Sequence, residues 1–256
     1  MKRCYPWTMT GGARSVALLM VVAIVSLLWW ACGGGSSDQV SCAPLEDGLR
    51  SYRFSSTVRL VTEGDEDASD ADASPGVDVT TKVSGEVQRP DRAKAVTSYS
   101  ESLGSQNLSV VVIGGTRWTL LGGGWSRTSI SDGDPPPIQF LPSTLCRAIV
   151  PDIDITGVHA SPGRAADIDT LRYHFDNLTS GFISRLPERE GGDDAVYVKT
   201  LVVDIWLTKE RWPARMEVKG TGAYPDGRSI AADFLTEVTD PNDEDIQIEA
   251  PDTSGE

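Results

Sequence analysis

Two histidines, four cysteines and 37 acidic side chains are the residues of this 256-residue chain with the most obvious chemistry. A nucleophilic triad needs a histidine base beside an activated hydroxyl or thiol. His159 falls in a turn-like stretch and His174 in a strand-like one, between Tyr173 and Phe175, and no GxSxG elbow accompanies either. The cysteines form no CxxC pair, and two histidines do not make up the deficit for zinc. Gly114-Gly115 and Gly122-Gly123-Gly124 lack the spacing and the following helix of a phosphate loop, so they read as hairpin turns. Asp65 to Asp72 is a dense acidic run. Counting from Asp65, however, places Asp70 and Gly76 where a calcium loop needs glycine and glutamate. A solvated loop fits better. No acidic pair stands in an apolar strand-end setting that would raise a carboxyl pKa for glycoside cleavage. The expectation is a protein without enzymatic activity, resident metal or cofactor.

Cys32 points elsewhere. Lys2, Arg3 and Arg14 precede SVALLMVVAIVSLLWWA (15–31), which is uncharged. Positive flanks stay cytoplasmic while the apolar stretch enters the membrane, the layout of a secretory signal. Ala31-Cys32 followed by Gly33-Gly34-Gly35-Ser36-Ser37-Asp38 resembles the lipobox and tether of bacterial lipoproteins. In that family the cysteine is acylated, palmitate being typical, and becomes the mature N-terminus. Trp29 stands where the family prefers leucine. The alternative is an uncleaved anchor, since seventeen apolar residues approach the length of a span. Both readings place the body outside the cytoplasm, at the cell membrane. With a net charge of −14, and more once the basic leader is removed, the body repels nucleic acid and anionic surfaces. Membrane attachment must then come from the anchor.

Export also favours disulfides. Cys4 lies in the leader, which leaves Cys42 and Cys146 as an expected pair closing a long loop; two buried thiols are the alternative.

The elements that must position any site are mostly strands. YRFSSTVRL alternates Tyr52, Phe54, Val58 and Leu60 with polar residues, and VDVTTKVSGEVQ (77–88) alternates valines with Asp78, Lys82 and Glu86. Arg89-Pro90-Asp91-Arg92 reads as a turn. Strands follow at 93–102, 110–113 and 117–121. Residues 44–51 suggest one or two helical turns, 138–149 short helices broken at Pro142, and 177–189 a further helix. Residues 153–176 have β character, clearest in TLRYHFD. AVYVKTLVVDIWLT, WPARMEVKGTGAY and SIAADFLTEV are strands, and IQIEAP suggests a last one. The expected organisation is a signal peptide (1–31), a flexible tether (32–44), one domain (45–250) and a disordered tail (251–256). The expected class is α+β: a strongly curved antiparallel sheet, a half-barrel, covering a few short helices.

This layout resembles the LppX/LprG-type lipoproteins of actinobacteria, related in fold to the LolA/LolB carriers and to RseB-type sensors. The residues that carry the resemblance are LRSYRF (49–54), VSGEVQRPDRAKA (83–95), VVIGGTRWTLLGGGW (111–125) and VVDIWLTKERWPARMEV (202–218). It implies a hydrophobic cavity between sheet and helices, and lipid or lipoprotein acyl chains as partners. Phe54, Val58, Trp118, Leu120, Trp206 and Met216 are the candidate lining residues, with ordinary core packing as their alternative role. A carrier or chaperone for acyl chains is the leading expectation. A sensor or scaffold subunit that binds a membrane protein is the alternative.

Overall fold

The computed structural model describes residues 40–63, 76–101, 104–131, 137–138, 140–149, 153, 155, 157–176, 197–224 and 227–253. The apolar leader, Cys32, the acidic loop and the helix expected over 177–189 lie outside the described residues.

Among the described residues, eleven strands form one antiparallel sheet. They are β1 (Ser51–Thr62), β2 (Val77–Gln88), β3 (Arg92–Glu101), β4 (Gly104–Ile113), β5 (Thr116–Leu121), β6 (Gly124–Ser129), β7 (Ala160–Ala165), β8 (Ile168–Phe175), β9 (Tyr197–Leu207), β10 (Pro213–Ala223) and β11 (Ser229–Thr239). Their order across the sheet is β6-β5-β4-β3-β2-β1-β11-β10-β9-β8-β7. Two up-and-down meanders, β1–β6 and β7–β11, therefore meet along β1 and β11, and β6 and β7 are open edges. A twisted sheet of this width curls rather than staying flat. Gly114-Gly115 and Gly122-Gly123 make the tight turns that the sequence signals.

Register fixes the two faces. Phe54 lies opposite Val238 on β11 and Gly85 on β2, and Gly85 lies opposite Ala95 on β3. On the other side Thr236 faces Met216, Met216 faces Ile205, and Ile205 faces Tyr173. This inner face is apolar and holds the main core, including Tyr52, Phe54, Val83, Val203, Ile205 and Met216. Its buried polar pair is satisfied: the Ser56 and Thr236 hydroxyls bond at 2.8 Å, and Ser56 Oγ donates to Phe140 O at 2.9 Å.

Two short helical segments join this core. The single wide turn α1 (Pro44–Gly48) buries Leu45, and α2 (Pro142–Ile149) buries Leu145 and Cys146. Proline at the head of each fits the first helical turn, where a missing N–H does no harm. Cys42 and Cys146 form the expected disulfide, with Cα atoms 5.7 Å apart, so the bridge ties the approach to α1 onto α2.

Two expectations need correction. The described fold is mostly β rather than α+β, because its helical segments are only 5 and 8 residues long and cannot make a layer. IQIEAP is not a strand. Ile246 and Ile248 lie across the outer face against Val111, Ile113, Trp118 and Trp125, and Arg92 Nη1 donates to Ile248 O at 2.8 Å. Val40 is buried, Ser41 N donates to Arg211 O at 3.0 Å, and Cys42 is bridged; the preceding part of the expected tether, 32–39, lies outside the described residues.

Candidate functional site

The six candidate lining residues divide between the two faces. Phe54, Val58 and Met216 lie on the inner face, where Phe54 and Met216 are buried core and Val58 packs against it. Trp118 and Leu120 flank Thr119, which lies opposite Val110 and so on the inner face; both therefore point outward. Trp206 flanks Ile205 and also points outward. No single cavity can be lined by all six, because period-two alternation puts neighbouring strand residues on opposite sides.

Among the described residues, a groove of about 290 Å³ lies at the end of the inner face, close to the low limit of small-molecule sites. None of the six lines it. Tyr52 from β1, Val87 from β2, Ala93 from β3 and Val112 from β4 supply one wall. Ile130, Pro137, Ile138, Leu141 and Ser143 supply the facing wall, and the turn Arg89-Pro90-Asp91-Arg92 closes one side. The strands place Tyr52, Val87, Ala93 and Val112 in one row because they are cross-strand partners: Tyr52 with Val87, Val87 with Ala93, Ala93 with Val112. Burial pushes the Tyr52 phenol above its ordinary pKa, against the opposing pull of Arg89, so it remains a protonated donor at neutral pH. In the sequence, Tyr52 is legible as an inward strand position. The turn is legible only as a turn, although two arginines bracketing Pro-Asp in so acidic a chain are a signal in themselves.

A second polar centre sits on the outer face. Trp206 lies between two guanidinium groups, Arg172 Cζ at 5.3 Å and Arg215 Cζ at 4.8 Å from the ring centroid. Gly163 on β7 leaves it room, since a Cβ there would come within 2.9 Å of Trp206 Cδ1. Arg172 Nε donates to Asp204 Oδ1 at 2.9 Å. His174 lies between Asp204, 2.8 Å from Nδ1, and Asp176, 2.9 Å from Nε2. Burial opposes ionisation of Asp204, but Arg172 and His174 outweigh it and hold the carboxyl below the usual range. The hydrogen bond to Asp204 is the main influence holding His174 above its ordinary value, with Asp176 assisting.

A raised folded pKa stabilises fully below the unfolded value of about 6.5, and the contribution fades as pH rises through the folded value. The His174 side chain is 47% exposed, so solvent screens the pair and the effect is small, below about 1 kcal/mol. Urea unfolding of wild type and His174→Gln should therefore show a wild-type advantage at pH 5.5 that has vanished by pH 8.5. Parallel pH profiles would refute the linkage.

No protein-family model matches the chain, and no curated protein matches it. Two solved structures are similar. The crystal structure of LprF from Mycobacterium bovis aligns with 89% of this chain and 96% of its own, at 14% identity and a TM-score of 0.42. The crystal structure of the ywiB protein from Bacillus subtilis aligns with 73% of this chain and 92% of its own, at 8% identity and a TM-score of 0.19. Likenesses this distant assign no ligand.

Proposed function

We propose that this protein is an extracytoplasmic lipoprotein, anchored through acyl groups on Cys32, that takes an acyl chain against the inner face of its sheet. The groove beside the β1–β4 end of that face carries the reading: an apolar wall continuous with the core opens there instead of closing. Contact of an acyl chain with such a wall is favourable by roughly 25 cal/mol per Å² removed from water. A lipid anchor would keep the acidic body beside a surface that its charge alone would avoid. The reading is not enzymatic. Both ring nitrogens of His174 are engaged by carboxylates, which leaves neither free to serve a hydroxyl.

The test is mass spectrometry of protein purified from membranes, intact and native. The expected result is diacyl mass on a chain beginning at Cys32, with copurified lipid that leaves on denaturation. A mature chain that begins upstream of Cys32 without added hydrocarbon would overturn the anchor. Lipid-free protein with a stoichiometric membrane-protein companion would overturn the cargo role and favour the scaffold alternative.

A further inference from the structure

The groove contains two polar atoms that are shielded from water and have no hydrogen-bond partner: Tyr52 Oη and Arg89 Nε. Tyr52 is a buried member of the groove lining. Ser143 and Arg89 are the polar side chains beside the phenol, and both pull its pKa down against burial. Arg89 Nη2 donates to Leu45 O in α1, which fixes one end of the guanidinium of this lining residue. Buried donors of this kind are normally paired, and an unpaired one calls for an explanation.

The groove lining carries two guanidinium groups, Arg89 and Arg92, and one carboxylate, Asp91. Arg53, Arg59, Arg147, Arg164, Arg172 and Arg215 each sit on a carboxylate. Arg89 and Arg92 instead donate to the backbone carbonyls of Leu45 and Ile248, and among the described residues neither forms an ion pair. Arg117, the register partner of Val112, adds another buried Nε without a partner beside the same row. Asp91, exposed in the turn, is the acidic residue of the groove lining. In a chain of net charge −14, Arg89, Arg92 and a phenol thus lie at one end of an apolar groove, and among the described residues neither arginine forms an ion pair.

We propose that this groove binds the anionic head, a carboxylate or phosphate monoester, of a single-chain amphiphile. Tyr52 Oη and Arg89 Nε are the donors, and Val87, Ala93, Val112 and Ile130 contact the first carbons of the chain. Charge-assisted hydrogen bonds from a phenol and a guanidinium suit such an oxyanion. The inference rests on the acyl-chain reading above and sharpens it: at about 290 Å³, the groove suits a head and a short length of one chain rather than a multi-chain lipid.

The test uses full-length protein in phosphatidylcholine nanodiscs, titrated calorimetrically against an empty-nanodisc blank with octanoate, octyl phosphate, octanol and inorganic phosphate. Octanoate or octyl phosphate should bind about ten-fold or more tightly than octanol. Arg89→Met should erase that preference. Tyr52→Phe, which keeps the ring in the core, should weaken the anionic probes several-fold. Near-UV circular dichroism confirms the fold of each variant, and Arg89→Lys is the fallback if Arg89→Met does not fold. Equal binding of octanol and octanoate overturns the head-group assignment, as do variants that bind the anions like wild type. If lipid still copurifies in either case, the cargo reading survives. Inorganic phosphate that binds as tightly as octyl phosphate makes this a free-anion site and overturns the amphiphile. If no eight-carbon probe binds and no lipid copurifies, the cargo reading itself fails.

Discussion

Removing the disulfide with Cys42→Ala/Cys146→Ala should lower stability by about 2–4 kcal/mol, the range typical of a disulfide; the sequence separation here is 104. The melting temperature should fall by roughly 6–14 °C for a domain of this size. The position of the bridge makes the loss more than a loosened unfolded chain. Segments of 5 and 8 residues do not hold helical structure by themselves; tertiary contacts must fix them. Leu45, Leu145 and Cys146 are nearly inaccessible, so both segments cover the inner face at its Tyr52 end. The Arg147–Glu46 ion pair that also spans them is largely exposed at the arginine and cannot replace a covalent link. Reduction of the wild type should therefore increase binding of a hydrophobic dye before global unfolding begins. Identical melting curves and dye binding with and without dithiothreitol would show that the bridge carries no such load.

Gly85→Ala should be at least as damaging, about 3 kcal/mol or more, and insoluble expression would be no surprise. Gly85 sits in β2 between its partners Phe54 and Ala95. A Cβ there would lie 2.2 Å from the carbonyl oxygen of Lys94 and 2.9 Å from two carbons of the Phe54 ring. The ring could give way, but the carbonyl belongs to the β3 backbone and could not move without breaking the ladder. Phe54 itself is 3% exposed and fills the space above the glycine, so it has little freedom to retreat. Two comparisons isolate the cause. Gly115→Ala meets nothing within 4 Å and should change stability by no more than about 0.5 kcal/mol. Adding Phe54→Leu to Gly85→Ala should not rescue it, because the Lys94 clash remains. Full recovery in that double variant would show that the ring, not the backbone, was the obstacle.

The strands were legible because their polar and apolar residues alternate cleanly. The segment 77–88 matches β2 at both ends, and β1, β10 and β11 fall where alternation placed them. β7 was legible only as part of a stretch of β character, since ASPGRA offers proline and glycine where a pattern would need apolar side chains. IQIEAP shows the converse. It alternates like a strand, yet its isoleucines cover tryptophans on the outer face.

Alternation tells which residues of one strand share a side. It does not tell which side faces inward on a strand several positions away; only register carries that, and register is a property of pairs. Trp118, Leu120 and Trp206 were singled out for size and position, but they belong to the wrong side for a shared cavity. The groove was hidden for a related reason. Its polar members, Tyr52, Arg89 and Ser143, come from a strand, a turn and a helix up to 91 residues apart, calculated from their numbers. No local pattern joins them.

The seam between β1 and β11 has a consequence for how the chain assembles. Each meander is built from neighbours that leave the ribosome within tens of residues of one another. The first strand, by contrast, waits for the last: Phe54 pairs with Val238, and Ser51 O accepts from Asn242 N. Contacts of such long sequence separation form late, after their loop entropy has been overcome. Until then two half-sheets each present an unpaired backbone rim in what becomes the middle of the finished wall. A nascent chain in that state is adhesive, and its safety depends on the rapid arrival of its own final strand, or on a holder that keeps the rims apart until synthesis ends.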